Sequence, residues 1–168
     1  MKTVTILLAS IAICSTALGQ DKHRTDLSGN NKKDKTQMKA TTEQSEIENL
    51  LTSYSQALNA SDVSKTVALY TIDGTLMPNG APLSHSQQQL SKTYDMLFKA
   101  FRLDVEYITD EIIIAGDYAF AQTHSNGKTT ILASGEILPI ENKELFIFHK
   151  DKGQWKISHY IFNSNKMK

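Results

Sequence analysis

The chain has 168 residues, with 18 Lys and Arg set against 18 Asp and Glu, 40% hydrophobic residues and one cysteine. So even a charge balance offers no basic field for a nucleic acid or an anionic membrane. One cysteine supplies no disulfide framework.

The opening "MKTVTILLASIAICSTALGQ" places Lys2 before an apolar run from Val4 to Ile13 and then small residues up to Gly19. This is the layout of a secretory signal peptide over residues 1–19, cleaved before Gln20. The run is too short to span a bilayer, so no membrane insertion is expected after cleavage and the destination is secreted or periplasmic. Cleavage removes Lys2, Cys14 and no acid.

Residues 20–44 contain only Leu27 and Met38 as large apolar side chains. Such a segment cannot bury enough surface to offset the entropy of ordering, which predicts a flexible tether. Residues 45–168 then suit one domain with one core.

Within that domain Ile47, Leu50, Leu51, Tyr54, Ala57 and Leu58 recur at three- and four-residue steps, one stripe of an amphipathic helix. Tyr54 lies inside the stripe. Asn59, Ala60 and Ser61 break it, and Asp62 is placed to cap a second helix whose buried side continues through Val63, Val67 and Tyr70. A short strand, Thr75 to Met77, runs into the turn-forming "PNGAP", and a third stripe follows from about Ser86 to Ala100.

From Arg102 onward the chain is dense in branched and aromatic residues, with turn signals at Ala115-Gly116-Asp117, Ser125-Asn126-Gly127 and Asp151-Lys152-Gly153. Long antiparallel strands joined by hairpins are expected. Helices followed by strands predict an α+β domain in which a curved sheet wraps around three N-terminal helices.

The stretches "YSQALNASDVSKTVALYTIDGTLMPNG", "AGDYAFAQT" and "DKGQWKISHYIFNS" resemble the nuclear transport factor 2-like superfamily, and within it the SnoaL-like and ketosteroid isomerase-like secreted proteins. The resemblance implies a cone: a bent antiparallel sheet closed by the three helices, with a cavity between them, in a homodimer formed through the sheet's outer face. That scaffold hosts isomerases, dehydratases, cyclases and proteins without catalysis, so fold alone does not name the chemistry.

In the isomerase mechanism a carboxylate base moves a proton beside a carbonyl while a tyrosine and a protonated acid donate to the oxyanion. By resemblance, Tyr54 matches the oxyanion tyrosine and Glu144 falls near the protonated acid. The base position after the "DGT" strand holds Met77 and Pro78, neither able to take a proton.

His124 alternates with Tyr118, Phe120 and Gln122. On a cavity wall it would be the candidate general base; at a strand end beside the Ser125-Asn126-Gly127 turn it would face water. Trp155, Ile157, His159 and Ile161 alternate with Ser158, Tyr160 and Phe162, and family geometry turns Tyr160 and Phe162 inward and Trp155 outward. The adjacent Asp110 and Glu111 must point to opposite faces of a strand.

None of His85, His124, His149 and His159 sits in a metal-ligand spacing such as H-x-x-x-H or H-E-x-x-H, and neither a nucleophile motif nor a cofactor fingerprint is present, so no metal and no cofactor are expected. The expected ligand wall is Tyr54, Tyr70, Met77, Phe98, Phe120, Phe146, Tyr160 and Phe162, with His124 and Glu144 as catalytic candidates. Three functions fit: a binding protein for a small apolar or aromatic molecule, an isomerase, dehydratase or cyclase with a non-standard base, or a dimeric scaffold whose cavity is filled.

Overall fold

A computed structural model describes residues 28–164, with side chains from Met38 onward. The expected signal peptide lies outside the described residues. The elements are α1 (Ser28–Asn59), α2 (Val63–Ala68), β1 (Tyr70–Met77), β2 (Ser84–His85), α3 (Gln87–Ala100), β3 (Phe101–Ala115), β4 (Tyr118–Ile131), β5 (Ile137–Asp151) and β6 (Gln154–Ser164). The fold is α+β. Six strands form one sheet in the order β2-β1-β6-β5-β4-β3, and the helices cover its inner face.

The sheet is mixed where an antiparallel one was expected, because β1 lies parallel to β6 while its other neighbours pair antiparallel. Helix α3 intervenes between β1 and the later strands, and that crossover permits the parallel pair.

The helix boundaries follow the local chemistry. Asp62 caps α2 by accepting from the Lys65 amide at 2.9 Å, and Asn59 closes α1 onto β3, its Oδ1 accepting from the Val105 amide at 2.8 Å and its Nδ2 donating to the Val105 carbonyl at 2.9 Å.

Helix α1 begins at Ser28, so residues 28–44 are helical and the expected tether is corrected over that span. Glu43 is buried and accepts from Lys150 of β5, whose ammonium also lies 4.6 Å from the Trp155 ring. That charge-assisted bond anchors α1 to the sheet one turn before its apolar stripe begins at Ile47.

Ser125-Asn126-Gly127 is not a turn. It lies inside β4, whose register with β3 runs unbroken from Thr123 to Ile131. The β4–β5 connection instead passes through Gly135, which has φ +74. Gly127 serves a close approach: a Cβ there would meet the Asp104 carbonyl oxygen at 2.0 Å, the use of glycine that lets two backbones come together.

Two strands change phase. The β3–β4 register slips between Thr109 and Glu111, so Leu103, Val105 and Tyr107 pack inward before the bulge and Ile112 and Ile114 after it. The β5–β6 register slips opposite Ser158; Trp155 and Ile157 are buried before the slip and Tyr160 after it. The choice between the two face sets of β6 is therefore resolved as both, and the outward placement of Trp155 is corrected. A bulge costs one unpaired residue and re-aims everything beyond it.

Candidate functional site

Helix α1 carries Tyr54, β1 carries Tyr70 and α3 carries Tyr94 to one point, each at most 2% exposed. Gly74 makes room for this, since a Cβ at that position would sit 2.9 Å from Tyr70 side-chain atoms. The three hydroxyls form a triangle: Tyr54 to Tyr94 2.6 Å, Tyr70 to Tyr94 2.8 Å, and Tyr54 to Tyr70 3.2 Å. Each can donate once and accept once, so the ring satisfies all three hydrogens.

A second group sits beside it. Tyr107 of β3 and Tyr160 of β6 share a hydrogen bond of 3.0 Å, and both rings lie 5.6 Å from that of Tyr54. A pair consumes one hydrogen, which leaves the other O–H free to donate. Burial raises the pKa of all five phenols, that of Tyr94 to about 12. They remain neutral hydrogen-bonding groups at physiological pH and not phenolate bases.

Above these hydroxyls opens a cavity of about 500 Å³. Its wall is Tyr54, Tyr94, Tyr107 and Tyr160 with Leu58, Leu76, Leu97, Leu103, Val105, Ile140 and Phe162, and its remaining polar groups are Thr93, Thr129 and Asn142. No charged side chain lines it among the described residues.

Of the residues expected at the wall, Tyr54, Tyr160 and Phe162 line it. Tyr70 and Phe146 stand one layer behind, Tyr70 through the hydroxyl triangle and Phe146 by stacking on Tyr160 with centroids 4.1 Å apart. Met77 is outside the lining and its neighbour Leu76 takes the inward position, since consecutive strand residues face opposite ways. Phe98 is also outside it, packing on Tyr94 at 5.8 Å. Phe120 is 38% exposed on the outer face because Ala119 and Ala121 are the inward residues of β4.

The two catalytic candidates do not meet. His124 lies on the outer face with Phe120, its Nδ1 2.8 Å from Asp110 Oδ1 and its side chain 40% exposed. Asp110 is the extra residue of the β3 bulge, which leaves it and Glu111 both exposed and not on strictly opposite faces. Glu144 is on the inner face but outside the cavity lining. Its carboxylate turns toward β4, where Thr123 Oγ1 donates at 2.9 Å and Ser125 Oγ donates a short bond. Burial raises its pKa, opposed by those two donors.

Sequence reasoning passed over Tyr107 and Asn142. Tyr107 had a signal, since Leu103, Val105 and Tyr107 alternate on one strand face. Asn142 had none, standing in the polar run "ENKE".

No protein-family model matches the sequence, and no curated protein matches it. Solved structures do match. A ketosteroid isomerase-like protein from Erwinia carotovora atroseptica is 29% identical with a TM-score of 0.68, covering 72% of this chain and 95% of that one. A scytalone dehydratase-like protein from Novosphingobium aromaticivorans is 15% identical with a TM-score of 0.67, covering 76% and 87%. A hexachlorocyclohexane dehydrochlorinase is 8% identical with a TM-score of 0.68, covering 77% and 90%. At such identities the last two speak for the fold alone. The chain has the nuclear transport factor 2-like fold, as the sequence resemblance implied.

Proposed function

We propose that this protein binds one uncharged, largely apolar small molecule in the cavity above the tyrosines. The observation that carries the reading is a void of about 500 Å³ whose lining includes no charged side chain. That volume falls within the range of ligand pockets, roughly 300–1,000 Å³. The free O–H of the Tyr107–Tyr160 pair supplies the donor, while the hydroxyl of Tyr54 is already engaged with Tyr70 and Tyr94. Native mass spectrometry of the protein from its own source, against a denatured control, tests this. A discrete extra mass that disappears on denaturation supports it, and a clean apo mass that stays clean after incubation with apolar aromatic probes overturns it.

An isomerase or dehydratase reading draws on the 29% identity to the ketosteroid isomerase-like protein. It needs a base, and the described lining contains no carboxylate, imidazole or amine. Deuterium wash-in beside the carbonyl of a bound cyclic enone would bring it forward.

We further read residues 1–19 as an export signal and the outer sheet face as a homodimer contact. In support of the second, Ile113, Tyr118, Phe120 and Leu145 are 38% to 51% exposed on that face, and exposed apolar clusters mark interaction sites. N-terminal sequencing of the mature protein and light scattering of a Phe120→Glu variant test the two claims.

A further inference from the structure

Almost every polar atom on the cavity wall is a hydroxyl of tyrosine or threonine, and a hydroxyl turns to donate or accept as its partner requires. Asn142 is different because it is an amide, with its donor and acceptor at opposite ends. Its orientation is fixed from behind the wall. Ser125, 1% exposed, donates its one hydrogen to the Glu144 carboxylate. Thr123 donates to the other carboxylate oxygen at 2.9 Å. Ser125 Oγ can then only accept, and Asn142 Nδ2 donates to it at 3.4 Å. That bond sets the amide with its nitrogen toward Ser125, spending one of its two hydrogens, and leaves the oxygen end to accept from whatever occupies the cavity.

We infer that Glu144 and Ser125 are positioning residues that turn Asn142 into a fixed hydrogen-bond acceptor, so that the cavity selects apolar ligands bearing a hydroxyl or N–H over ligands bearing only an acceptor. This rests on the binding reading above and adds the chemical class. It also gives the buried carboxylate a role without turnover: a group that accepts from both neighbours sets the direction of the whole chain of bonds.

Three probes of one shape test it by calorimetry: 2-naphthol, which donates and accepts, 2-methoxynaphthalene, which only accepts, and 2-methylnaphthalene, which does neither. The expected result is 2-naphthol binding about fivefold or more tighter than 2-methoxynaphthalene, the size of one net hydrogen bond. Ser125→Ala frees the amide to turn and should bring that ratio toward one. Asn142→Leu removes the acceptor and should do the same, which keeps the test open if the buried Ser125→Ala variant fails to fold. Equal binding of all three probes to the unaltered protein, or a ratio that survives Asn142→Leu, overturns the inference while leaving the binding reading intact. Failure of all three to bind overturns both.

Discussion

The hydroxyls of Tyr54 and Tyr94 lie 2.6 Å apart although the residues are 40 positions apart and belong to different helices. Tyr70 closes the triangle from the sheet. A phenol inside an apolar helical stripe is thus explained by its partners: three hydroxyls buried together satisfy one another where any one alone would be left unpaired.

Tyr54→Phe should cost about 1 kcal/mol, because Tyr70 and Tyr94 remain 2.8 Å apart and still pair. Tyr54→Ala should cost about 3–5 kcal/mol by leaving a void among the stacked rings. Urea unfolding midpoints of the two variants measure both.

Raised phenol pKa values favour the neutral form in the folded state. The stability they carry is present below the unfolded value near 10 and is lost as pH rises from there through the folded values, about 12 for Tyr94. Phenolate absorbance from this cluster should therefore develop together with loss of near-ultraviolet dichroism. Its appearance in a still-folded protein near pH 10 would contradict the burial of the cluster.

Glu144 also has its pKa raised by burial, so its ionisation opposes folding as pH rises through the unfolded carboxylate value toward the higher folded one. Glu144→Gln removes that dependence. The unfolding free energy of the variant relative to the unaltered protein should move in the variant's favour as pH rises above the ordinary carboxylate value, about 4, read from denaturation at fixed pH points. A shift the other way would mean that the two hydroxyl donors outweigh desolvation.

Gly127→Ala should destabilise by a few kcal/mol, since its Cβ would lie 2.0 Å from the Asp104 carbonyl oxygen and two strands would have to separate. Gly116→Ala meets nothing within 4 Å and should cost only about 1 kcal/mol for its positive φ. Paired thermal melts compare a site that adds a clash to a positive φ, +150 at Gly127, with one that has the positive φ alone.

Lys150→Met leaves Glu43 with only the exposed Lys39, 3.9 Å away, as an ion-pair partner, and breaking such a pair from one side should cost about 1–3 kcal/mol. Adding Glu43→Gln should recover part of that loss. Amide exchange along residues 38–46 reports whether the start of α1 loosens with it.

Whatever depends on near neighbours was legible along the chain. The stripe through Ile47, Leu51, Tyr54 and Leu58, the Asp62 cap, the turns at Gly116 and Gly153 and the order of helices before strands all follow from contacts within a few residues, and with the family resemblance they yielded the fold. Tertiary structure decided which side of each long strand faces in. Bulges at Asp110 and Ser158 each reverse the phase of everything that follows, so alternation read on one side of them gives the wrong face on the other. Asn126-Gly127, a turn by local chemistry, became mid-strand because β3 approaches too closely there for any side chain. Residues 28–44 continue the same helix as the packed stripe that starts at Ile47, and Lys150, more than 100 residues away, holds it at Glu43. The hydroxyl triangle, the Tyr107–Tyr160 pair and the bonds that orient Asn142 join residues far apart in the chain, and a hydrogen-bond direction exists only once its partners are in place.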